Sequence, residues 1–332
     1  MKNQSSIVLG TWSWGTGAVG GDQVFGNHVG VEELKPVFDE AMKNGLNLWD
    51  SAVVYGMGAS ENVLAAFTKT CCREEVKIST KFTPQIASDT ENPVADMLAG
   101  SLARFDTDYI DIYWVHNPAD VERWTPYMAA LVKSGKVKHI GVSNHNLAQI
   151  KRAEEILSAE GIHISAVQTH YSLLYRSSER AGILDYCREN GIDFWSYMVL
   201  EQGALSGKYD TQHPLPKGSQ RGDTYNPMLP QTETLHAHRR RPIRHFARSG
   251  GIGMGNSQRH DTHYRCNQSD TSAGSGTSGK YRSDRRRNPH TGSQCRKFRS
   301  RYARLLGNAD DLREEVDNEA TNFHPIVYVH FL

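Results

Sequence analysis

Short apolar runs alternate with segments of helical periodicity through the first 200 residues of the chain. The apolar runs have the length and composition of buried strands, and many of the helical segments end at a glycine, a common residue just past a helix end. The order therefore predicts repeated strand–helix units. Predicted strands cover residues 7–12, 46–50, 76–81, 110–116, 137–144, 166–171 and 194–200, and predicted helices cover 31–44, 60–67, 93–105, 121–134, 147–159 and 179–190, with Ser60 as a candidate N-cap.

Strands that alternate with helices through short connections favour a parallel β/α topology, since each crossover passes over the sheet through a helix. Polar residues collect at the strand ends, which is typical of a closed (β/α)8 barrel of the TIM type. An open dinucleotide-binding sheet would show a Gly-x-Gly-x-x-Gly turn after its first strand, and none is present there. We expect residues 1–230 to form this barrel.

The composition changes abruptly near Thr232, where an eighth strand should follow. Between residues 249 and 293 serine, glycine, threonine, asparagine and arginine replace the aliphatic residues. The eighth strand and the C-terminal helices are therefore expected to be missing or replaced, with residues 231–332 an aberrant polar, basic tail, disordered or poorly packed. A basic nucleic-acid arm, using the arginine runs 239–241 and 285–287, is an alternative.

A reading-frame shift is a third explanation of the tail. When the last two bases of each codon are joined to the first base of the next, Met254-Gly255 must read Trp. Residues 253–267 then permit Ala-Trp-Ala-Ile-Ala-Lys-Gly-Thr-Ile-Pro-Ile-Ile-Gly-Val-Thr, a helix end and an apolar strand. As written, the chain would leave strands one and seven with unpaired edges, and we expect weak or absent activity unless the tail supplies a substitute strand.

Length and charge narrow the class of protein. A chain of 332 residues with a net charge of +1 has no global field to recruit nucleic acid or an anionic membrane, so a small molecule is the expected partner. No apolar stretch has the length of a signal peptide or a membrane span. Five scattered cysteines fit no metal or disulfide framework, and we expect a cytoplasmic protein with free thiols and no metal.

Four titratable side chains fall at or just after the ends of consecutive strands. Asp50, Lys81 and His116 close strands two, three and four, and Tyr55 follows strand two. Singly, each of these has a structural explanation, but strand ends meet at one rim of a barrel, so the four can converge. A free tyrosine titrates near ~10, and we expect Lys81 to lower that value while Asp50 keeps the lysine charged. The set predicts proton donation by the phenol to a carbonyl that His116 orients.

These segments resemble the aldo-keto reductase family. The resemblance runs over residues 6–230 and departs from the family beyond. Two positions in the pocket lining also depart, since His170 stands where an acidic or amide residue is common and Met198-Val199 replaces Ser-Pro. The matching segments are Trp49-Asp50-Ser51-Ala52 with Tyr55-Gly56, Ser79-Thr80-Lys81, Val115-His116, Gly141-Val142-Ser143-Asn144, Val167-Gln168 with Tyr171-Ser172-Leu173-Leu174, and Tyr197 with 202–209.

The resemblance implies NADPH-dependent reduction of an aldehyde or ketone, with NADH as the alternative cofactor and oligomeric state left open. It implies Tyr55 as general acid, Asp50 and Lys81 as its tuning pair and His116 as the carbonyl-orienting group. An inactive nicotinamide-binding barrel is the alternative function. The implied cofactor residues are Gly10, Thr11, Trp12, Asp50, Ser143, Asn144, Gln168, Tyr197, Leu200, Gln202, Gly203, Leu205, Ser206 and Lys208, with Tyr197 stacked on the nicotinamide and Ser143, Asn144 and Gln168 at its carboxamide.

Overall fold

The computed structural model describes residues 7–218, 220–239 and 326–330 of the chain. Parallel strands form a closed barrel in which each strand pairs with its neighbour in sequence and the last pairs with the first. The (β/α) barrel expected from the sequence is therefore confirmed. The strands are β1 Ile7–Gly10, β2 Leu48–Asp50, β3 Lys77–Phe82, β4 Ile110–Val115, β5 Val137–Ser143, β6 Ile164–His170, β7 Asp193–Tyr197 and β8 Ile326–His330.

Helices cover the strands at most of the expected places. The predicted helix over 179–190 is two helices, because Gly182 adopts a left-handed conformation with a φ of 76° between them. The helices at 220–239 follow the last predicted element and were not predicted. The helices are α1 Gly21–Phe25, α2 Val31–Lys43, α3 Ala59–Thr68, α4 Pro93–Phe105, α5 Val121–Lys133, α6 Leu147–Ser158, α7 Ser177–Arg180, α8 Ile183–Asn190, α9 Gln220–Tyr225 and α10 Leu229–Arg239.

β8 is the substitute strand from the tail without which the edges of β1 and β7 were expected to stay unpaired. β8 lies parallel to both β1 and β7, so the edges of those two strands are paired rather than open. The register aligns Ile7 with Val327 and Ser196 with Val327, which closes the ring. The sequence pattern had assigned no strand in this region. The other expectations about the tail concern the arginine runs 239–241 and 285–287 and the shifted reading of 253–267. Apart from the backbone of Arg239, these residues lie outside the described ranges.

Large aromatic side chains fill the interior of the barrel. Trp114 and Trp195 are fully buried, and their rings meet edge to face at 4.9 Å. A Cβ added at Gly141 would lie 2.1 Å from Cε3 of Trp114, so only glycine leaves room for the indole on the neighbouring strand. These aromatic side chains therefore pack the barrel interior. The central layer consists of Val8, Leu48, Ile112, Trp114, Ala166 and Trp195.

The residue predicted to cap the N-terminus of α3 was wrong. Gly58, not Ser60, precedes α3, and Ser60 lies inside the helix, where its hydroxyl donates to the carbonyl oxygen of Thr11 at 2.6 Å. A buried hydroxyl with that partner ties α3 to β1, which a capping pattern could not reveal. Within the described ranges, Cys71 and Cys187 carry free thiols. Through those same ranges no helix has the length and apolarity needed to cross a membrane, and the cytoplasmic location stays a prediction.

Candidate active site

Asp50 and Lys81 form a fully buried ion pair at the carboxyl end of β2 and β3. The Lys81 ammonium also donates to the carbonyl oxygen of Ser51 at 2.7 Å, and the Ser79 hydroxyl donates to the other oxygen of Asp50. Burial lowers the pKa of Lys81, while the Asp50 carboxylate acts in the opposite direction. A buried charge is tolerated only with such partners, so the pair and its hydrogen bonds form one unit.

Ser79 is a member of this unit that the sequence reasoning left without a role. Its oxygen accepts a hydrogen bond from the Trp114 indole at 2.7 Å while its hydrogen points to Asp50. Ser79 and Lys81 are two residues apart on β3, so both side chains face the barrel interior. The spacing of two residues from Lys81 could have identified Ser79 from the sequence. Its contacts indicate that Ser79 orients the Asp50 carboxylate.

Tyr55 follows β2 on a short turn in which Gly56, Met57 and Gly58 all adopt left-handed backbone conformations. Its ring lies 5.3 Å from the Lys81 ammonium and 5.9 Å from the His116 ring. Trp12 stacks on it at 5.7 Å with the rings 22° apart. The predicted convergence of these side chains is therefore present, with Trp12 as a further wall of the same site.

The electrostatics of Tyr55 differ from the sequence expectation. Burial and the negative charge of Asp50 raise the pKa of Tyr55 well above its ordinary value. The expectation of a Tyr55 pKa below its ordinary value was therefore wrong. Lys81 directs its donors to Asp50 and Ser51, and its attraction for a phenolate is outweighed by burial and by the Asp50 charge. Tyr55 is consequently protonated throughout the neutral range.

His116 follows β4 with its ring between Tyr55 and Thr83. Burial and the Lys81 charge lower its pKa to about 3, although part of the residue remains exposed. The ring is therefore neutral near pH 7. Its Nδ1 lies 3.0 Å from the Thr83 hydroxyl. Its backbone carbonyl accepts from the Asn144 side chain at 3.0 Å, which links the end of β4 to the end of β5.

The hydrogen bond with the Thr83 hydroxyl bears on which ring nitrogen of His116 carries the hydrogen. A neutral imidazole carries one N–H, and a carbonyl oxygen is only an acceptor. If the Thr83 hydroxyl donates to Nδ1, the hydrogen resides on Nε2, which can then donate to a substrate oxygen. Thr83 is 3% exposed, so water does not compete freely for this hydroxyl. The sequence offered no signal for this contact.

Residues at the ends of β5, β6 and β7 lie next to one another. Asn144 has a φ of 63° and donates its backbone N–H to the Gln168 carbonyl at 2.9 Å. The Tyr197 hydroxyl donates to Asn144 Oδ1 at 2.7 Å. Ser143 and Gln168 are buried beside them, and Nε2 of Gln168 is buried with no hydrogen-bond partner. An unpaired amide donor here fits a planar amide ligand, which is what the predicted carboxamide site requires.

The other predicted cofactor residues fall in two places. Gly10 and Thr11 end β1 next to Asp50, with the Thr11 backbone N–H donating to the Asp50 carbonyl at 3.0 Å. The second group lies in the turn after β7, where the Ser206 hydroxyl donates to the Gly203 carbonyl at 2.5 Å and accepts from the Lys208 N–H at 3.2 Å. The turn carries Leu200, Gln202, Gly203, Leu205, Ser206 and Lys208, of which Ser206 and Lys208 are exposed.

Comparison with known proteins finds one family model that matches most of this chain. The model of the Aldo/keto reductase family matches residues 6–256. The chloroplastic pyridoxal reductase of Arabidopsis thaliana is 30% identical over 246 residues, 70% of this chain and 66% of that protein. The NADH-specific methylglyoxal reductase of Escherichia coli is 31% identical over 225 residues, 61% of this chain and 67% of that protein. The chain spans 58% to 66% of the length of three curated relatives that it matches.

Solved structures give the same result for the fold. A thermostable aldo-keto reductase in complex with the inhibitor epalrestat is 28% identical, with a TM-score of 0.51 over 65% of this chain and 72% of that one. The glycerol dehydrogenase of Gluconobacter oxydans is 22% identical, with a TM-score of 0.60 over 76% of this chain and 77% of that one. At that identity the second comparison supports the fold alone.

Proposed function

We propose, because this chain belongs to the aldo/keto reductase family, that it reduces an aldehyde or ketone to an alcohol with a reduced nicotinamide cofactor. The observation that carries the proposal is the meeting of Tyr55 with the buried Asp50–Lys81 pair and with His116 at one end of the barrel. No one of these residues is specific for a reaction, but together they supply a proton donor, a charge beside it and a group that orients a carbonyl.

The residues after β5, β6 and β7 support nicotinamide as the cofactor. Gln168 offers a buried, unpaired amide donor, and Ser143 and Asn144 offer further polar groups beside it. The Tyr197 ring is fixed by its hydroxyl, so it can present a face for stacking. The reduced nicotinamide supplies the hydride when bound. We propose NADPH, with NADH as the alternative, since relatives are named both for NADP(+) and as NADH-specific.

The proton is proposed to come from Tyr55. Its raised pKa keeps the phenol protonated, which is the form that a general acid needs. As negative charge develops on the substrate oxygen, the phenol hydrogen moves to that oxygen. The phenolate left behind gains from the Lys81 ammonium at 5.3 Å, a stabilisation absent from the starting state. His116, neutral and held by Thr83, donates from Nε2 to the same oxygen.

The names of the relatives do not identify the carbonyl substrate of this chain. One is named for pyridoxal and another for methylglyoxal, which differ in size and aromaticity. Trp12 forms an aromatic wall against Tyr55, and Phe25 meets Trp12 edge to face at 5.2 Å. Substrate choice in barrels depends on such loop residues, so a panel of aliphatic and aromatic carbonyls is the appropriate survey.

The test compares the chain with its Tyr55→Phe variant. Purified protein is first titrated with NADPH, and loss of NADPH absorbance is then followed with the carbonyl panel. We expect binding by both proteins and a rate at least about 100-fold lower in the variant, the scale of general acid catalysis. Equal rates would exclude Tyr55 as the acid. Binding without turnover by the parent chain would instead support the inactive nicotinamide-binding barrel.

A further inference from the structure

His170, at the end of β6, lies between two tyrosine rings. The Tyr175 ring is stacked on the imidazole with centroids 4.0 Å apart and planes 9° apart. On the other side Tyr197 lies 5.5 Å away with an interplanar angle of 22°. β6 and β7 pair so that His170 is opposite Tyr197, which places the two rings on the same face of the sheet. His170 therefore supports one side of Tyr197.

The same imidazole binds a buried carboxylate. His170 Nε2 lies 2.9 Å from Oε1 of Glu201, which is 1% exposed, and the Ser172 hydroxyl donates to that oxygen as well. Burial acts to raise the pKa of Glu201, but the hydrogen bonds from His170 and Ser172 outweigh it and the pKa is lowered. Glu201 is thus an ionised acceptor near neutral pH, and Nε2 of His170 must be its donor.

Glu201 belongs to the turn that follows Tyr197. Met198, Glu201 and Gln202 have φ values of 60°, 46° and 50°, a region that residues other than glycine rarely adopt. Such conformations persist only where surrounding contacts hold them. The Met198 side chain packs against Ala204, Leu215, Tyr225 and Leu229, and the Glu201 carboxylate is fixed by His170 and Ser172. One histidine therefore touches both Tyr197 and the strained turn.

We propose that His170 is a positioning residue for the cofactor: its ring supports Tyr197 and its Nε2–H anchors the turn over 198–209 through Glu201. The inference rests on the proposed function, since it assigns Tyr197 and this turn to nicotinamide cofactor binding. His170 lies at hydrogen-bond distance from Glu201 and stacks beside Tyr197. It acts through two neighbours, and these two roles are separable because stacking and hydrogen bonding need different side chains.

Two substitutions separate the roles. His170→Phe keeps a flat ring between the tyrosines but leaves buried Glu201 without one donor. His170→Gln keeps an amide donor of similar reach but removes the ring. We expect His170→Phe to raise the dissociation constant of NADPH about tenfold, the scale of one hydrogen bond to a charged group. We expect His170→Gln to raise it about threefold, the scale of an aromatic pair.

Tyr175→Leu supplies a check on the stacking role. In the parent chain it should weaken NADPH binding by about the same threefold factor, since it removes the outer ring of the stack. Combined with His170→Gln it should add little, because the stack is already lost. Full additivity of the two changes would overturn the stacking role. The dissociation constants are measured by calorimetric titration, with kcat at saturating cofactor measured separately.

Hydrogen exchange of the cofactor-free chain tests the anchoring role without any ligand. His170→Phe should raise the amide exchange of residues 198–209 above that of the parent, whereas His170→Gln should leave it near the parent level. The matched control is His163→Gln, because His163 precedes the same strand at the opposite end of the barrel and pairs with Glu154 at 2.6 Å while largely exposed.

The outcomes distinguish this inference from the proposed function. Unchanged exchange in His170→Phe, relative to the His163→Gln control, overturns the anchoring role whether or not NADPH binds. Raised exchange together with NADPH affinities that match the control overturns the link to the cofactor. Failure of the parent chain itself to bind NADPH overturns the proposed function, and the cofactor-positioning role with it.

Discussion

The Nδ1 atom of His116 lies 3.0 Å from the hydroxyl oxygen of Thr83, and when that hydroxyl donates, the ring hydrogen is on Nε2, where it can be donated to a substrate. The two residues are 33 positions apart and come together because β3 and β4 are neighbours. Thr83, just beyond the strand that carries Lys81, therefore contacts His116, just beyond the next strand.

Replacing Thr83 with valine tests this contact. Valine has nearly the same shape but no hydroxyl, so both His116 tautomers become accessible and the donating one loses its advantage. The net value of one hydrogen bond is about 1 kcal/mol, so kcat should fall roughly fivefold. Thr83→Ser retains the hydroxyl and should keep most of the activity. Steady-state rates at saturating NADPH decide the matter, and equal losses in both variants would contradict the tautomer argument.

Removing one partner of the Asp50–Lys81 pair should be costly for stability. Lys81→Met leaves the Asp50 carboxylate buried beside Ser79 without its counter-ion. Breaking a buried pair in this way costs about 3–5 kcal/mol. Urea denaturation of the parent and the variant measures the difference. Lys133→Met, which removes a largely exposed pair with Glu160, is the control and should change stability by less than about 1 kcal/mol.

Stability should decline on mild acidification because of His145. This side chain is 2% exposed, and burial lowers its pKa to about 4 from an ordinary 6.5. Between those values the unfolded chain binds a proton that the folded chain excludes, so folding free energy is lost as pH falls. At pH 5 the loss is roughly 1–2 kcal/mol.

His145→Phe is the corresponding variant. It removes the titrating ring and also the hydrogen bond between Nδ1 and the Ser143 carbonyl at 2.8 Å. We therefore expect it to be less stable than the parent at pH 7 and to approach or exceed it near pH 4.5. Thermal melts across that range provide the measurement. A constant difference between the two proteins at every pH would rule out His145 as the source.

Gly141→Ala should disturb the barrel interior. The added Cβ would lie 2.1 Å from the buried Trp114 ring, and neither strand can move away without breaking its pairing. Overpacking of this kind costs about 1–3 kcal/mol or more. Gly100→Ala lies within α4, where the added Cβ would be 3.4 Å from the flexible Arg104 guanidinium. This variant should be neutral or stabilising by about 0.5–1 kcal/mol. Denaturation midpoints of the two variants make the comparison.

The reading-frame hypothesis predicts a gene-level result. Resequencing should reveal a missing or extra base near the codon for Gln231, and a chain with the frame restored should bind NADPH more tightly than the present one. The physical reason is that the shifted reading contains an apolar strand whose carboxyl end would meet the rim on which Asp50, Lys81 and His116 lie. A confirmed in-frame sequence across Gln231 would reject the hypothesis.

Much of the site was readable from local pattern. Asp50, Lys81 and His116 each close an apolar run, and strand ends share one rim of a barrel, so their convergence followed from order alone. Tyr55 was placed with them because it follows the second strand, and Trp12 came with the family resemblance. Thr83, Ser79 and Glu201 were not predicted as partners, because each acts through a side chain 29 to 33 positions away in sequence, a contact that no local pattern encodes.

The sequence by itself determined the order of seven strands and the positions of most helices, because strand and helix periodicities are local properties. Only the tertiary structure decided that Ile326–His330 closes the ring between β1 and β7, since an eighth partner is selected by unpaired edges at both sides. It also decided the sign of the Tyr55 pKa shift. That sign depends on burial and on where the Lys81 ammonium directs its hydrogen bonds, and both are properties of packing.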